Sequence, residues 1–582
     1  MKEFLPTTQQ EIKSLGWKQV DIILITGDAY IDHPSFGTAL IGRSLQAAGY
    51  KVAILPQPDW CKNRDFLSLG LPRLYFGISA GNMDSMVNHY TASRKKRSSD
   101  AYSPNAASGL RPDRASIIYS QKVRSLFKKT PIILGGIEAS LRRIPHYDYW
   151  SNKIRNSILF DARADLIVYG MGEKAAIEIA DRLNKNKNMA NLENIPGTVV
   201  SVQEIDREES IFLPEFRTDF STQDYRKMVL TFNKYQSTRT IYQRFSQRYL
   251  KHNKPSSPLT EKEIDKIYEL PFTRKPHPRY KNQRITAFEQ IKNSITSHRG
   301  CFGGCNFCAL SVHQGREIQS RSIHSIKKEI KKFSSNPEFK GTISDIGGPT
   351  ANMYGLVCKL EDQSNCKRSS CLYPEICSNL NLSQTGQINL LREVAQIENI
   401  KNVFVASGIR HDLALRDLAY VSELIKNHTG GLLKLAPEHK SGKVLKLMNK
   451  PDFRLYQDFV KLFRKISHSS AKKQYIVPYI MVGHPGETLQ ETLELALYLR
   501  KNNIRLTQVQ EFTPTPMTLS TMMYYTALDL KGDSIHIPGE REKKLQKALV
   551  QWFMPRNKKY VIEALRKLDR KDLFNLFLGK TA

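Results

Sequence analysis

The 582-residue chain lacks any apolar run long enough to cross a bilayer, so a membrane-spanning role is not expected. Its opening stretch, Met1 to Gln10, has no apolar segment of the kind an export signal needs, which predicts a cytoplasmic protein. Cysteine is scarce over most of the length: Cys61 stands alone, and the other seven of the eight fall between 301 and 377. That distribution excludes a disulfide scaffold and suits metal binding in a reducing compartment. Acidic residues are also short, 56 Asp+Glu against 88 Lys+Arg, for a net charge of +32. Spread over solvated faces, such an excess is background; gathered on one surface, it would attract a polyanion such as RNA or DNA through its phosphates. Hydrophobic residues make up 40% of the chain, enough for sizeable cores, and the length implies two or three domains.

Residues 1–220 alternate strand and helix patterns. The runs 21–27, 51–55, 74–78, 131–135 and 165–169 read as buried parallel strands, with a helix over 39–48, and predict a doubly wound, Rossmann-like α/β domain. Residues 92–114 read as a polar, basic surface loop inserted in that domain. From 221 to 285 the pattern weakens into a basic linker broken by prolines at 254–258 and 271–278. Within it Tyr242, Arg244, Phe245, Arg248 and Tyr249 interleave arginine with aromatics, a nucleic-acid-binding pattern, although packing as a linker is the expectation. Residues 286–530 return to alternation, with candidate strands at 290–298, 341–347, 402–407, 430–436, 474–482 and 506–512. Six strand–helix repeats predict a partial (β/α)6 barrel, and 531–582 a small basic helical C-terminal region.

The chemistry concentrates in the run 297–309, where Cys301, Cys305 and Cys308 occupy one short loop. Three clustered thiolates can ligate three irons of a cubane and leave the fourth open. Gly300, Gly303 and Gly304 suit a tightly wrapped loop, and Phe307 is placed to shield a cluster from water. Zinc usually takes four ligands in C-x2-C pairs, a disulfide does not fit this chain, and three merely buried thiols are the remaining alternative. The loop follows the first candidate barrel strand, on the rim where parallel barrels carry their active sites.

This C-x3-C-x-F-C loop resembles the signature of the radical S-adenosylmethionine (radical SAM) superfamily. The resemblance implies a [4Fe–4S] cluster whose open iron is chelated by the amino and carboxylate groups of SAM. One electron, from a reductant such as flavodoxin or ferredoxin, then cleaves SAM to methionine and a 5′-deoxyadenosyl radical that abstracts hydrogen from a substrate. It also implies the barrel fold and a SAM-seating role for Gly347 and Gly348, with Pro349 standing where the superfamily has an acidic residue. Cys358, Cys366, Cys371 and Cys377 follow directly and suggest a second metal, zinc or an auxiliary iron–sulfur cluster, with scattered free thiols as the alternative. Glu438 and His439 lie on the same rim as candidate substrate or SAM contacts, or as exposed residues without a role.

The segments 482–488 and 512–516 resemble those of radical SAM proteins with an N-terminal cobalamin-binding-like domain. The run 28–37 is similar to the cobalamin motif Asp-x-His-x-x-Gly, but His33 directly follows Asp32 and stands four residues before Gly37, a spacing that argues against cobalamin. Gly170-Met-Gly172 reads as a tight turn rather than a dinucleotide fingerprint. Through 32–37, 135–140, 270–280, the cysteine loop and 345–355, the chain is similar to the YgiQ-type radical SAM proteins. The function expected is a radical SAM enzyme whose substrate the sequence does not name. The alternatives are an RNA- or ribosome-modifying enzyme and an iron–sulfur RNA-binding protein.

Overall fold

The computed structural model describes residues 4–186, 188–208, 210–360, 366, 368–470 and 472–579. The first three residues of the run Met1 to Gln10 therefore lie outside the described residues. The chain divides into two compact units, Met1–Thr296 with Val312–Gly315 and Gln319–Lys340, and Ser297–Ser311 with Arg316–Ile318 and Gly341–Ala582.

In the first unit the strands are β1 (Ile22–Thr26), β2 (Val52–Pro56), β3 (Tyr75–Ser79), β4 (Ile132–Leu134), β5 (Leu166–Val168), β6 (Thr198–Val202), β7 (Ile211–Leu213), β8 (Ile241–Phe245) and β9 (Arg248–His252). Among the described residues they form one sheet in the order β7-β8-β9-β6-β5-β4-β3-β1-β2. β2, β1, β3, β4 and β5 run parallel, with Ile22 opposite both Val52 and Tyr75. Every residue of β1 and β2 is buried, as helices on both faces of a parallel sheet require. Helix Glu173–Lys185 shows the matching pattern, burying Ala175, Ala176, Ile179, Ala180 and Leu183 along one stripe.

Strand order reverses between β1 and β3, the switch point where doubly wound sheets open a ligand crevice. Here Arg111 occupies that edge: Nη1 donates to the Ala80 carbonyl at 2.6 Å and pairs with Asp28 at 3.0 Å, and Nη2 binds Asp100 at 2.9 Å. All three charged residues are buried. The insertion 92–114, expected as a surface loop, thus sends Arg111 into the interior, because two buried carboxylates need a cation.

The stretch 221–285 is not a linker. β8 and β9 form an antiparallel hairpin that joins the sheet through β6, and Lys275–Pro276 pairs with Ile31–Asp32. Its basic composition comes from the solvated side of a hairpin: Arg244 and Arg248 are exposed while Tyr242 is buried. Phe245 packs against Phe160 and Phe216, with ring centroids 4.8 and 5.4 Å apart, so these two aromatics are taken up by packing rather than offered for base stacking.

In the second unit, β10 (Thr342–Ile343) pairs parallel with β11 (Asn402–Val403). An isolated parallel bridge joins Ile409 to Leu435 in β12 (Leu432–Glu438), which runs parallel to β13 (Tyr475–Val482), itself parallel to β14 (Gln510–Glu511). These strands make an open arc of parallel strands with helices between them, the expected partial barrel. The first candidate strand, 290–298, is broken into Ser294–Thr296 and His298–Arg299. A capping box between Thr488 and Glu491 starts the helix Leu489–Lys501. The C-terminal region is helical, as expected, and packs on the barrel: Leu545, Leu549, Val561 and Leu565 of the helices Glu540–Val550 and Lys558–Lys567 share one core with Leu493, Leu499 and Val482. No described helix is long and apolar enough to cross a membrane.

Replacing Arg111 with Ala strands Asp28 and Asp100 without their cation, which should cost about 3–5 kcal/mol. Urea unfolding followed by far-UV circular dichroism measures it; a midpoint equal to wild type would show that the buried triad carries no stability.

Candidate iron–sulfur and SAM site

Residues 300–308 form no helix or strand, so the backbone groups of the cysteine loop must find partners elsewhere. Asn449 Nδ2 donates to the Gly304 carbonyl at 2.6 Å, and Ser370 Oγ donates to that of Gly303 at 2.7 Å. The Asn306 amide donates to the Met448 carbonyl at 3.0 Å, while the Asn306 carbonyl accepts from the Ser520 amide at 2.9 Å. Gly303 is where the loop closes on itself. A Cβ there would stand 3.0 Å from Arg410 Nη1, 3.3 Å from Cys301 Sγ and 3.7 Å from Cys305 Sγ. The bare Cα lets two sulfurs and a guanidinium crowd one spot.

Each of the three cysteines keeps some exposed surface, yet the Cys301 and Cys308 thiols lie deep. Burial pushes the Cys308 thiol up to about 12, and the neighbouring Cys305 and Cys301 add to the shift. Cys301 is raised chiefly by burial too. A bound cationic group reverses this balance and draws out thiolates.

The glycine turn sits against the loop. Gly347 O accepts from the Ser297 amide at 2.8 Å, and a Cβ on Gly348 would lie 2.7 Å from both Nε2 and the carbonyl oxygen of His298. His298 Nε2 donates to the Thr350 carbonyl at 3.0 Å, and burial lowers the ring to about 4, so it stays neutral. Thr350 Oγ1 in turn lies 3.8 Å from Cys301 Sγ. Asp345 accepts from the amides of Ala406 and Ser407 at 2.7 and 3.0 Å, tying the turn to the end of the next strand.

Beyond β11, Arg410 points Nη1 at Cys305 Sγ, 3.7 Å away, while Nε and Nη2 grip Asp412 at 2.9 and 2.5 Å. Burial works against the Asp412 charge, but the Arg410 guanidinium outweighs it and holds the carboxyl far below the usual range. The sequence reading assigned no role to Arg410, Asp412 or His298. The available signals were an Arg-x-Asp pair after a barrel strand and a histidine three residues before Cys301.

Glu438 and His439 are buried rather than exposed. Glu438 ends β12 in the left-handed region, φ +64°, with Lys450 Nζ 3.6 Å from its carboxylate. His439 Nε2 lies 3.2 Å from Glu487, whose other oxygen takes the Gly483 amide at 2.7 Å. The 482–488 motif is therefore a loop stapled by Glu487.

Cys371 and Cys377 of the second group pack beneath the first. The Cys371 amide donates to the Phe302 carbonyl at 3.2 Å, and Cys301, Cys371 and Cys377 all abut the apolar cluster of Phe302, Met353, Leu372 and Leu413. Phe302 belongs to the apolar cluster against which Cys301 packs, and Phe307 meets His484 edge-on at 6.4 Å. Burial pushes Cys371 up to about 11, Arg316 opposing and Cys377, Cys366 and Cys358 adding. Among the described residues, no three His, Cys, Asp or Glu side chains draw close enough to hold a single metal ion. A cubane takes one thiolate per iron, so the loop sulfurs need not converge on a point. A four-thiolate zinc would need that convergence.

Ser370 joins the two cysteine segments, its hydroxyl donating to Gly303 and accepting from the amides of Leu372 and Tyr373 at 3.1 Å each. Ser370→Ala leaves these groups unpaired at a cost of about 1–3 kcal/mol. Iron loss from reconstituted protein under chelator should accelerate; an unchanged rate would mean that Ser370 does not brace the loop.

Residues 4–294 match the Radical SAM N-terminal family, 295–499 the Radical SAM superfamily and 507–577 a domain of unknown function, DUF3362. A UPF0313 protein of Methanocella arvoryzae is 48% identical over 97% of this chain and 96% of its own length. One from Geobacter sulfurreducens is 46% identical over 100% and 97%. Among solved structures, the cobalamin-dependent S-adenosylmethionine radical enzyme OxsB, at 10% identity, covers 96% of this chain and 71% of its own with a TM-score of 0.50, a likeness of fold. The chain belongs to the UPF0313 family of radical SAM proteins.

Proposed function

We propose that this radical SAM enzyme holds a [4Fe–4S] cluster on Cys301, Cys305 and Cys308 and seats SAM against Gly347 and Gly348. The observation that carries the reading is a cysteine loop whose backbone is tied by Asn449, Ser370 and Ser520 beside a glycine turn in contact with Cys301. The donor set fits: three thiols stand in one loop, two of them crowded against the bare Cα of Gly303, and thiolates are the ligands a cubane takes. When bound, the reduced cluster supplies the electron that splits SAM to methionine and a 5′-deoxyadenosyl radical.

The chain's own residues bind, orient and exclude water. His298, held neutral, anchors the Thr350 carbonyl and so fixes the turn beside Cys301. Gly348 keeps its side of the turn open, since any side chain there would collide with His298. The apolar cluster around Phe302 closes the underside of Cys301 to solvent.

A second metal on Cys358, Cys366, Cys371 and Cys377 rests on their spacing in the sequence and on the packing of Cys371 and Cys377 beneath the first loop. Since no three of these thiols converge among the described residues, an auxiliary cluster suits them better than zinc. Cobalamin is left out of the reading. His33 is fully buried with Nδ1 accepting from the Ser35 amide at 3.1 Å, and Arg111 fills the edge between β1 and β3, so these residues do not fit that cofactor. The nucleic-acid alternative rests on the +32 charge alone.

Anaerobically reconstituted protein should show a cubane absorption and electron paramagnetic resonance (EPR) spectrum and, with reductant and SAM, release 5′-deoxyadenosine. Replacing Cys301, Cys305 and Cys308 together with Ala should abolish both; a triple variant that still cleaves SAM would overturn the assignment. Metal analysis of the same variant tests the other group: stoichiometric zinc or iron is expected, and a folded, metal-free protein rules the second metal out.

A further inference from the structure

Arg410 places a charged donor against a loop sulfur, and its setting is tightly determined. The residue is buried, with its backbone amide on Asn352 Oδ1 at 2.8 Å and its carbonyl accepting from Asn352 Nδ2 at 2.9 Å. Asn352, itself fully buried, cannot turn over without breaking both bonds. Asp412 takes two edges of the guanidinium, through Nε and Nη2. Nη1 alone is left, and it aims at Cys305 Sγ from 3.7 Å, across the space that Gly303 leaves free.

We propose that Arg410 tunes the reduction potential of the iron–sulfur cluster through an N–H···S contact to its Cys305 ligand; this rests on the cluster assignment above. Reduction adds one negative charge to a group already anionic from its three thiolates. A fixed cation and hydrogen-bond donor at a ligand sulfur stabilises that reduced form, and hydrogen bonds to sulfur and net charge are among the protein's levers on cluster potential. Asp412 sets the aim: it holds the guanidinium plane but offsets part of its charge, so the donor geometry matters as much as the sign. Arg410 is a positioning residue in this scheme and takes no part in breaking bonds.

The test is the midpoint potential of the reconstituted full-length protein without SAM, from an EPR-monitored titration with a low-potential chemical reductant. Arg410→Gln should make the cluster about tenfold harder to reduce at a given potential, a shift of ~59 mV to more negative values for a one-electron couple. Arg410→Lys, which keeps charge but loses the planar fork, should recover part of the shift. Gly303→Ala, which leaves Arg410 in place but crowds Nη1, should move the potential in the same direction as Arg410→Gln. A cluster-loaded Arg410→Gln protein with the wild-type potential overturns the inference, and so does an unchanged potential accompanied by weakened SAM binding, which would make Arg410 a SAM contact. If Arg410→Gln does not load, the Lys and Ala variants decide by the same rule. Wild-type protein that takes up no cluster sinks the functional reading itself, a result separable from any of these.

Discussion

An irregular loop that carries ligands has to be held by something other than its own secondary structure. Buried backbone N–H and C=O groups demand partners. Around residues 300–308 these come from Ser370, Asn449, Met448 and Ser520, spread over 150 residues of sequence from 370 to 520. The barrel strands bring those residues to one rim; the loop then takes its shape from them. This constraint explains why the glycine turn, the segment after β11 and the second cysteine group all meet there. Each supplies a hydrogen bond, an apolar face or a charge to a loop that has none to spare.

Much of this was legible in the sequence. The cysteine spacing marked the loop because few other uses of three thiols produce it, and the alternation of apolar runs marked both sheets. The glycine pair was legible through the resemblance of its segment to the superfamily; the lack of room for a side chain between Gly348 and His298 is visible only in the fold. What stayed hidden depended on long-range partners. Arg410 looks like one of 88 basic residues until Asp412 and Cys305 are beside it. Arg111 sat in a stretch whose polarity announced a surface, and only Asp28 and Asp100 give it a reason to be inside. The hairpin β8–β9 was obscured by its solvated face, whose arginines outweighed the buried Tyr242 in any composition count.

The first unit sets a buried charged triad at the switch point of its sheet. At the edge between β1 and β3, where such sheets place ligands, the chain holds a guanidinium between two carboxylates. The same unit gathers buried cations elsewhere: Arg143 stacks on Tyr169 at 4.5 Å and Arg321 on Tyr268 at 4.3 Å. Part of the +32 charge is thus interior structure, sealed by acids and rings rather than displayed to solvent.

Glu438 carries a consequence of its own. Its left-handed backbone is one that glycine adopts at no steric cost, and a side chain held there is disfavoured by about 1–3 kcal/mol. A search for more stable variants would therefore be drawn to glycine at this position. Yet that exchange strips Lys450 of its buried carboxylate beside Arg410 and Asp412, leaving a surplus of positive charge at the mouth of the barrel. The strand end is kept strained because the charge balance of the rim needs an acid there, and at this residue robustness and chemistry pull in opposite directions.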